Sequence, residues 1–221
     1  MKIPKIQELF ALSHTAAAPY LAKHRYGYEI LSSLADIIRD IGKALGRDYE
    51  QIAPEVWMAK DACLSPLATV AGPTVIGKKT EVRPGAYIRG AALIGDGCVI
   101  GNSTEIKNAI LFDGAQAPHY NYVGDSILGY LAHMGAGAIC SNLRADRMAV
   151  TVKTDEEALD TGRRKLGALI GDRAEIGCGT VLCPGAVVGK DSAVYPLSLV
   201  RGCVPQDSIL KNNGEIIARC K

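Results

Sequence analysis

Residues 70–112 read VAGPTVIGKKTEVRPGAYIRGAALIGDGCVIGNSTEIKNAILF. Every sixth residue of this stretch is large and apolar, and nearly all of them are followed four positions later by a small residue. A helix repeats about every 3.6 residues and a strand about every two, so neither accounts for a period of six. Such a period is typical of the hexapeptide repeat of a parallel β-helix. The residues that open each repeat are Val70, Ile76, Val82, Ile88, Ile94, Ile100, Ile106 and Phe112.

The same period continues along the chain after interruptions. Between Phe112 and Leu128 its phase slips at Ala117 and Val123, and residues 143–167 interrupt it altogether. Three hexads make one triangular coil of about 18 residues, with the large residues inside and the small residues at the corners. The sequence thus predicts a mainly β fold, a parallel β-helix with a short α-helical N-terminal arm. The later openers are Leu128, Met134, Cys140, Ile170, Ile176, Leu182, Val188, Val194 and Val200.

Three parts of the chain follow from where the repeat begins and ends. Residues 1–56 show no hexad but carry a helical stripe between Ile30 and Leu45, and we expect them to form a helical arm that caps the open end of the β-helix. Residues 57–205 form the β-helix, with an inserted loop at 143–167 that is expected to build a binding surface. Residues 206–221 contain Asn212-Asn213-Gly214 between apolar pairs, which predicts a hairpin or tail over the C-terminal end.

Composition narrows the class of protein. Aromatic residues make up only 5% of the chain, as the thin core of a β-helix requires, and the net charge of +2 gives no reason to expect a nucleic-acid partner. The seven cysteines include no Cys-x-x-Cys pair, which favours a reducing compartment and a cytoplasmic protein. No signal peptide or apolar run of membrane-spanning length is present, so we expect no membrane association.

Three features carry residues suited to chemistry. Arg89 and Lys107 each follow an inward residue one coil apart, so they are expected to stack on one outer face and to attract an anion such as phosphate. His119 lies in the segment where the repeat slips, on the adjacent face, and histidine is the usual general base near neutral pH. Gly135-Ala136-Gly137 is expected one coil above, where small residues let a ligand approach the backbone.

These residues also carry a resemblance to a known family. Residues 70–204 resemble the C-terminal acetyltransferase domain of the bifunctional N-acetylglucosamine-1-phosphate uridylyltransferase/glucosamine-1-phosphate acetyltransferases, within the hexapeptide-repeat acyltransferases. The likeness is densest in Ile88-Arg89, in the segments 101–107 and 117–125, and in Gly135-Ala136-Gly137. It resumes at Asn142 and from Lys165 to Asp172.

The resemblance implies a homotrimer of left-handed β-helices that transfers an acetyl group from acetyl-CoA to the amine of a sugar 1-phosphate in UDP-N-acetylglucosamine synthesis. By the same resemblance His119 is the general base, and Ala136 and Cys178 lie beside the CoA arm. No bound metal is implied. The positions that match substrate contacts of the family are Arg89, Lys107, Tyr122, Asn142 and Lys165.

The sequence departs from the family pattern around the acceptor sugar. His133 replaces an asparagine, Leu143 replaces an aromatic residue, and the insertion at 143–167 is longer than the family's loop. Residues 1–56 are too short for a nucleotidyltransferase domain, so no uridylyltransferase activity is expected. Two other functions stay open: a non-catalytic scaffold or sugar-nucleotide-binding protein that kept the fold, and a metal hydratase of the γ-carbonic-anhydrase type. The hydratase requires three histidines at one site, and only His119 and His133 lie in the repeat.

Overall fold

The computed structural model describes residues 1–220 and contains a left-handed parallel β-helix of about nine turns, with short helices preceding it. The predicted fold class is therefore confirmed. The helices all lie in the first 44 residues, and most are a single turn long. They are α1 (Ile6–Leu9), a 3₁₀ turn (Leu12–His14), α2 (Ala18–Leu21), a second 3₁₀ segment (Gly27–Ser32) and α3 (Leu34–Ala44).

The strands are short because each spans only one side of a triangular coil. The first twelve are β1 (Tyr49–Ala53), β2 (Val56–Ala59), β3 (Cys63–Leu64), β4 (Thr69–Val70), β5 (Thr74–Ile76), β6 (Glu81–Val82), β7 (Tyr87–Ile88), β8 (Ala92–Ile94), β9 (Val99–Asn102), β10 (Glu105–Leu111), β11 (Gln116–His119) and β12 (Tyr122–Leu128). The remaining strands are β13 (His133–Met134), β14 (Ile139–Cys140), β15 (Thr151–Lys153), β16 (Ala158–Asp160), β17 (Ala168–Ile170), β18 (Glu175–Ile176), β19 (Val181–Leu182), β20 (Ala186–Val188), β21 (Ala193–Val194), β22 (Leu199–Val200), β23 (Cys203–Val204), β24 (Ser208–Leu210) and β25 (Ile216–Ala218).

Parallel pairing between successive coils builds three faces. Face 1 contains β2, β5, β8, the second halves of β10 and β12, β17, β20 and β23. Face 2 contains β3, β6, β9, β11, β13, β18, β21 and β24. Face 3 contains β4, β7, the first halves of β10 and β12, β14, β19 and β22. The core inside them is one continuous column of Val, Ile, Leu, Ala, Cys and Met side chains that runs from Ile76 to Leu210.

The repeat slips at a different place from the one that the hexad count predicted. Leu111, and not Phe112, takes the inward position, in register with Ile94 and Leu128. Phe112 points out of the β-helix, where its ring lies 5.2 Å from that of Phe10. The reason is a corner shortened by one residue: Ile88 pairs with Ile106 at a separation of 18, but Ala92 pairs with Ala109 at a separation of 17.

We expected the N-terminal arm to cap the end of the β-helix. In the structure it lies along face 1 instead. Its buried side chains pack onto the outward residues of that face. They include Ile6, Leu9, Phe10, Ile30, Leu34 and Ile38. Inward residues of the first coil, Met58, Leu64 and Val70, stay only partly buried. The arm follows face 1 because this face is apolar on its outer side in six successive strands, at Val75, Leu93, Ile110, Ile127, Leu169 and Val187.

Helix α3 shows how the sequence builds this contact. Leu34, Ile37, Ile38 and Ile41 recur at helical spacing and are all buried, which places one apolar stripe against the β-helix. Gly42 comes directly after this stripe. A Cβ at this position would lie 2.3 Å from the Trp57 ring, so no larger residue fits between the helix and β2. Each large side chain buried in this way contributes roughly 1.5–3 kcal/mol.

The insertion and the C-terminal segment each contain a hairpin. Within 143–167, β15 and β16 pair antiparallel, and Val150 and Val152 are buried against the arm. Near the C-terminus β25 pairs antiparallel with β24 across the turn at 211–215. The insertion is therefore an ordered hairpin and not the plain loop that its charged sequence suggested. The division of the chain at 56/57 and 205/206 stays a proposal.

Candidate active site at the insertion corner

Three irregularities of the repeat meet at the corner between faces 3 and 1. The corner is shortened at Asn108 and again at Asp125, and the insertion leaves the next coil from the same place, after Asn142. We call this the insertion corner: residues 107–108, 124–125 and 141–167. Asn108 and Asp125 both adopt a φ of 49°, a left-handed conformation that asparagine and aspartate tolerate better than other side chains with a Cβ.

Asp125 is the centre of the hydrogen-bond network at this corner. Its side chain is almost fully buried, and it accepts bonds from Asn108 Nδ2 at 2.7 Å and Asn142 Nδ2 at 2.6 Å. Lys107 Nζ lies 3.2 Å from the same carboxylate. A buried carboxylate requires such partners to offset the loss of hydration. The network fixes the positions of Lys107 and Asn142, two residues predicted to contact substrate.

The structure stacks Arg89 and Lys107 on face 3 as predicted, because Ile88 and Ile106 are in register. Both positive charges, however, are paired with carboxylates of the chain. Arg89 Nη1 lies 2.6 Å from Glu105 Oε1, and Lys107 is paired with Asp125. The chain thus supplies its own anions to the ladder, so the expectation of an external anion between these two residues is weakened. Glu105 and Asp125 were not assigned from the sequence, although both lie within the segments that carry the resemblance.

Tyr122 is the first residue of β12 and is in register with Glu105 of the preceding coil. Its hydroxyl oxygen accepts a hydrogen bond from Asn142 Nδ2 at 3.1 Å, and burial raises the pKa of the phenol above its usual value. The ring lies over Gly124, where an added Cβ would be 2.4 Å from the Tyr122 hydroxyl. Gly124 is therefore required for the tyrosine to reach Asn142.

His119 ends β11 on face 2, the face adjacent to Lys107, as expected. Its side chain is exposed, and within residues 1–220 it makes no hydrogen bond or ion pair. Its backbone is held firmly: its N–H donates to Asn121 Oδ1 at 3.0 Å, and its carbonyl accepts from the N–H of Gly137 at 3.0 Å. An exposed imidazole on a rigid backbone is available to accept a proton from a bound amine.

The turn at 135–137 lies directly above His119, as predicted. Buried Asn121 fixes it by donating to the carbonyls of Gly135 and Ala138. The N–H groups of Gly135 and Gly137 are used within the β-helix, but the N–H of Ala136 makes no hydrogen bond within residues 1–220. Among these three residues, Ala136 is thus the donor that remains for a ligand.

Cys178 occupies the corresponding exposed corner one coil further on. The Ala136 carbonyl accepts a hydrogen bond from the N–H of Gly179, which stacks the two turns. Ala136 and Cys178 therefore line one edge of the β-helix together, close to His119. The sequence resemblance implied this proximity to the CoA arm, and the coordinates bring both residues to the same edge.

The insertion places Lys165 at the corner that carries Asn142. Leu143 and Lys165 form an antiparallel bridge, and the N–H of Leu166 donates to the Asn142 carbonyl at 3.0 Å. An open pocket of about 680 Å³ lies beside this bridge. Lys165 is the one lining cation that the resemblance matches to a substrate contact, and the charge pattern of the insertion is the only sequence signal for the other three. The pocket is lined by Asp125, Leu143, Arg147, Gly162, Arg163, Arg164 and Lys165.

His133 stands apart from this corner. It pairs with Gln116 on one side and Glu175 on the other in the ladder of face 2, and its Nδ1 lies 2.9 Å from Glu175 Oε2. In the described part of the chain, no three residues of the types His, Cys, Asp and Glu are grouped so as to hold a metal ion. The same residues contain no helix that is long and apolar enough to cross a membrane.

Comparison with known proteins identifies relatives of this architecture. A family model described as the GMPPB C-terminal domain matches residues 70–159. A bifunctional sugar-1-phosphate nucleotidylyltransferase/acetyltransferase of Sulfurisphaera tokodaii is 35% identical over 117 residues, which are 53% of this chain and 29% of that protein. The bifunctional protein GlmU of Methanococcus maripaludis is 35% identical over 134 residues, covering 61% of this chain and 32% of that protein.

A third relative is closer in size. The uncharacterized acetyltransferase YaiX of Escherichia coli is 32% identical over 153 residues, covering 61% of this chain and 66% of that protein. The chain spans about a third of the length of the bifunctional relatives.

Solved structures share parts of the fold at low sequence identity. PerB from Caulobacter crescentus, in complex with CoA and GDP-perosamine, is 19% identical, with a TM-score of 0.40 over 74% of this chain and 57% of that chain. The acetyltransferase domain of PglB from Neisseria gonorrhoeae is 18% identical, with a TM-score of 0.39 over 83% of this chain and 64% of that chain. The sequence relatives and the repeat together show that this chain is similar to the C-terminal part of the bifunctional nucleotidylyltransferase/acetyltransferases.

Proposed function

We propose that this protein is an acetyl-CoA-dependent N-acetyltransferase acting on an amino sugar that carries a phosphate group, with glucosamine 1-phosphate as the reference acceptor. The observation that supports it most directly is the assembly of Lys107, Tyr122 and Asn142 around buried Asp125, with Lys165 brought to the same corner. The sequence resemblance implies a substrate contact for each of these four residues, which are far apart along the chain. Their convergence is what an acceptor site requires.

The proposed reaction uses His119 as the general base. The acceptor amine attacks the thioester carbonyl of acetyl-CoA, and His119 takes a proton from the amine as the C–N bond forms. The C–S bond then breaks, the CoA thiolate leaves and the proton is returned to it. A tetrahedral oxyanion forms between these two steps, and the N–H of Ala136 is the donor we assign to it. No cysteine is required as a nucleophile in this scheme.

Acetyl-CoA is proposed to lie along the edge formed by Ala136 and Cys178. Both residues are exposed there, and the stacked turns present small side chains, which lets a narrow pantetheine arm approach the backbone. Modification of the Cys178 thiol by iodoacetamide should slow when acetyl-CoA is present. Cys63, which is also exposed but lies in the first coils, is the internal control.

The first test is release of free CoA thiol from acetyl-CoA with glucosamine 1-phosphate and a panel of other amino sugars. We expect His119→Ala to lower kcat by roughly 100-fold or more, the range of a lost general base, without changing the folded state. His24→Ala is the matched control, because His24 lies on the arm, where its Nδ1 is 3.8 Å from Glu29 Oε2.

Two results would count against the proposal. Turnover of the His119→Ala protein at the wild-type rate would remove His119 as the base. Binding of acetyl-CoA without turnover of any amine would favour the alternative of a non-catalytic sugar-nucleotide-binding or scaffold protein. The pairing of Arg89 and Lys107 with carboxylates of the chain itself is the observation that keeps this alternative in view.

We also propose a homotrimer. Tyr87 and Leu199 are exposed apolar residues on face 3, and Tyr195 and Leu197 are exposed in the coil segment that leads to it. Such residues on a regular surface are suited to contact between copies of the chain. A solution mass of one chain, measured by light scattering, would contradict the trimer. Seven unpaired cysteines are consistent with a reducing compartment, and we propose the cytoplasm.

A further inference from the structure

Four cations of the insertion line one pocket at the insertion corner. Arg147, Arg163, Arg164 and Lys165 line the pocket of about 680 Å³, and Asp125 is its one carboxylate. Asp125 is already engaged by Lys107, Asn108 and Asn142. Among residues 1–220, no ion pair involves any of the four lining cations, whereas Arg144 of the same segment is paired with Asp146. The pocket is thus a site of uncompensated positive charge.

Backbone hydrogen bonds hold the segments that carry these cations. The Leu143–Lys165 bridge closes the base of the insertion, and the N–H of Val150 donates to the Arg163 carbonyl at 2.7 Å. Arg163 Nε in turn donates to the Lys165 carbonyl at 3.3 Å. The arm secures the far end, where the Ile3 N–H donates to the Glu157 carboxylate. A pocket built in this way is largely formed before a ligand arrives.

Arg163 is partly buried, and burial lowers its pKa despite the opposing effect of Asp125. A guanidinium that loses hydration without an ion pair destabilises the protein unless an anion completes the site. The cations predicted for phosphate, Arg89 and Lys107, are meanwhile occupied by Glu105 and Asp125. Among these cations, the ones without an ion pair therefore lie on the insertion and not on the β-helix.

The number of donors points to more than one phosphate. Each arginine presents a planar fork suited to two oxygens, and the pocket holds three such forks beside Lys165. A single phosphate group offers only about three acceptor oxygens. A diphosphate provides a second phosphorus centre, whose oxygens can accept bonds from the remaining donors.

We propose that this pocket binds a diphosphate group, so that the acceptor is an amino sugar linked through a diphosphate, as in a nucleoside-diphosphate sugar. This inference rests on the proposed function and narrows its substrate class. Diphosphate is also present in CoA, but the edge at Ala136 and Cys178 lies at the corner between faces 2 and 3, away from the insertion corner. The acceptor is therefore the source that the geometry favours.

Equilibrium binding tests the pocket without requiring turnover. Titration calorimetry of the full chain, without acetyl-CoA, should show inorganic pyrophosphate binding at least about tenfold more tightly than orthophosphate, since more charge-assisted bonds form. Arg164→Ala and Arg147→Ala, both at exposed positions, should each weaken pyrophosphate and UDP binding by about tenfold or more. Arg144→Ala is the matched control, because it removes an arginine of the same segment that is already paired. Thermal unfolding of each variant checks that it is folded.

A second titration, with CoA, separates the two sources of diphosphate. Unchanged CoA affinity in Arg164→Ala supports the acceptor assignment, and a loss of CoA affinity overturns it. Equal affinity for orthophosphate and pyrophosphate also overturns the proposal. Because the readout is binding, an inactive protein that still selects pyrophosphate would contradict the acetyl transfer alone. An active protein that acetylates glucosamine 1-phosphate and ignores pyrophosphate would contradict the diphosphate pocket alone.

Discussion

At the scale of single residues, Asp125 explains most of the candidate acceptor site. Only 3% of its surface is exposed, its backbone is in the left-handed region, and its side chain joins Lys107, Asn108 and Asn142. The repeat alone would put a small or flexible residue at this corner. Aspartate satisfies the backbone conformation and supplies a charge for Lys107, so one residue meets a structural and an electrostatic requirement.

Replacing Asp125 by alanine should therefore destabilise the protein by roughly 2–4 kcal/mol, since Lys107 and Asn142 lose a buried partner. Acetyl transfer should be lost even where the protein is folded, because Asn142 no longer holds Tyr122. Urea denaturation and the thiol-release assay measure the two effects. Asp146→Ala, which breaks only the exposed pair with Arg144, should leave stability close to wild type. A folded Asp125→Ala protein with full activity would contradict this role.

At the scale of elements, the arm binds the β-helix through side chains and backbone together. Phe10 packs on Phe112, and the Asp113 N–H donates to the carbonyl of His14 at 3.0 Å. Buried Asp172 accepts a bond from the Ala11 N–H at 2.7 Å, and its own N–H donates to the Leu9 carbonyl at 3.0 Å. The arm is thus attached across several coils, and it contacts the hairpin of the insertion, whose flanking residues line the pocket.

Removing the Phe112 ring tests this attachment. Phe112→Ala should lower the free energy of unfolding by about 3–5 kcal/mol, because a fully buried aromatic ring leaves a cavity between arm and face 1. Limited proteolysis should then cut within residues 1–44 before it cuts the β-helix. Met148→Ala, at an exposed apolar residue of the insertion, should change stability by less than about 0.5 kcal/mol. Equal stability losses in the two variants would show that the ring contact does not hold the arm.

At the scale of the whole molecule, a continuous core makes stability depend on neutral thiols. Cys98 and Cys140 lie inside the column, and burial raises the pKa of each thiol to about 12. In the unfolded chain a thiol titrates at about 8.5. A group with a raised folded pKa contributes stability below its unfolded pKa and loses it as the pH rises, because only the unfolded state then releases the proton.

The free energy of unfolding should accordingly fall by about 2 kcal/mol per thiol between about pH 8 and about pH 10. Urea denaturation at the two pH values measures the fall. The double variant Cys98→Ala/Cys140→Ala supplies the comparison, since its own loss over the same range should be smaller by both thiol contributions. Identical pH dependence in the two proteins would mean that these thiols do not titrate on unfolding.

The β-helix follows from the sequence alone, since a six-residue period specifies which side chains point inward and which fit at the corners. The sequence also located His119, the turn at 135–137 and the stacked Arg89 and Lys107, because each follows from counting along the repeat. The hexad count failed at Phe112, where the chain shortens a corner through the left-handed Asn108. The loss of one residue from the repeat cannot be seen in the sequence here, because Leu111 and Phe112 are both apolar and either could take the inward position.

The position of the arm and the pairing of the charges become clear only in the folded molecule. An amphipathic helix specifies that one stripe is buried but not which surface buries it, and here face 1 offers apolar residues in successive coils. In the same way, the sequence does not distinguish Lys107 from the arginines of the insertion, because it does not show which cation is paired with a carboxylate. Folding pairs Lys107 with Asp125 and leaves Arg147, Arg163 and Arg164 around an open pocket, because charge neutralisation depends on distances in space between residues that are remote in the chain.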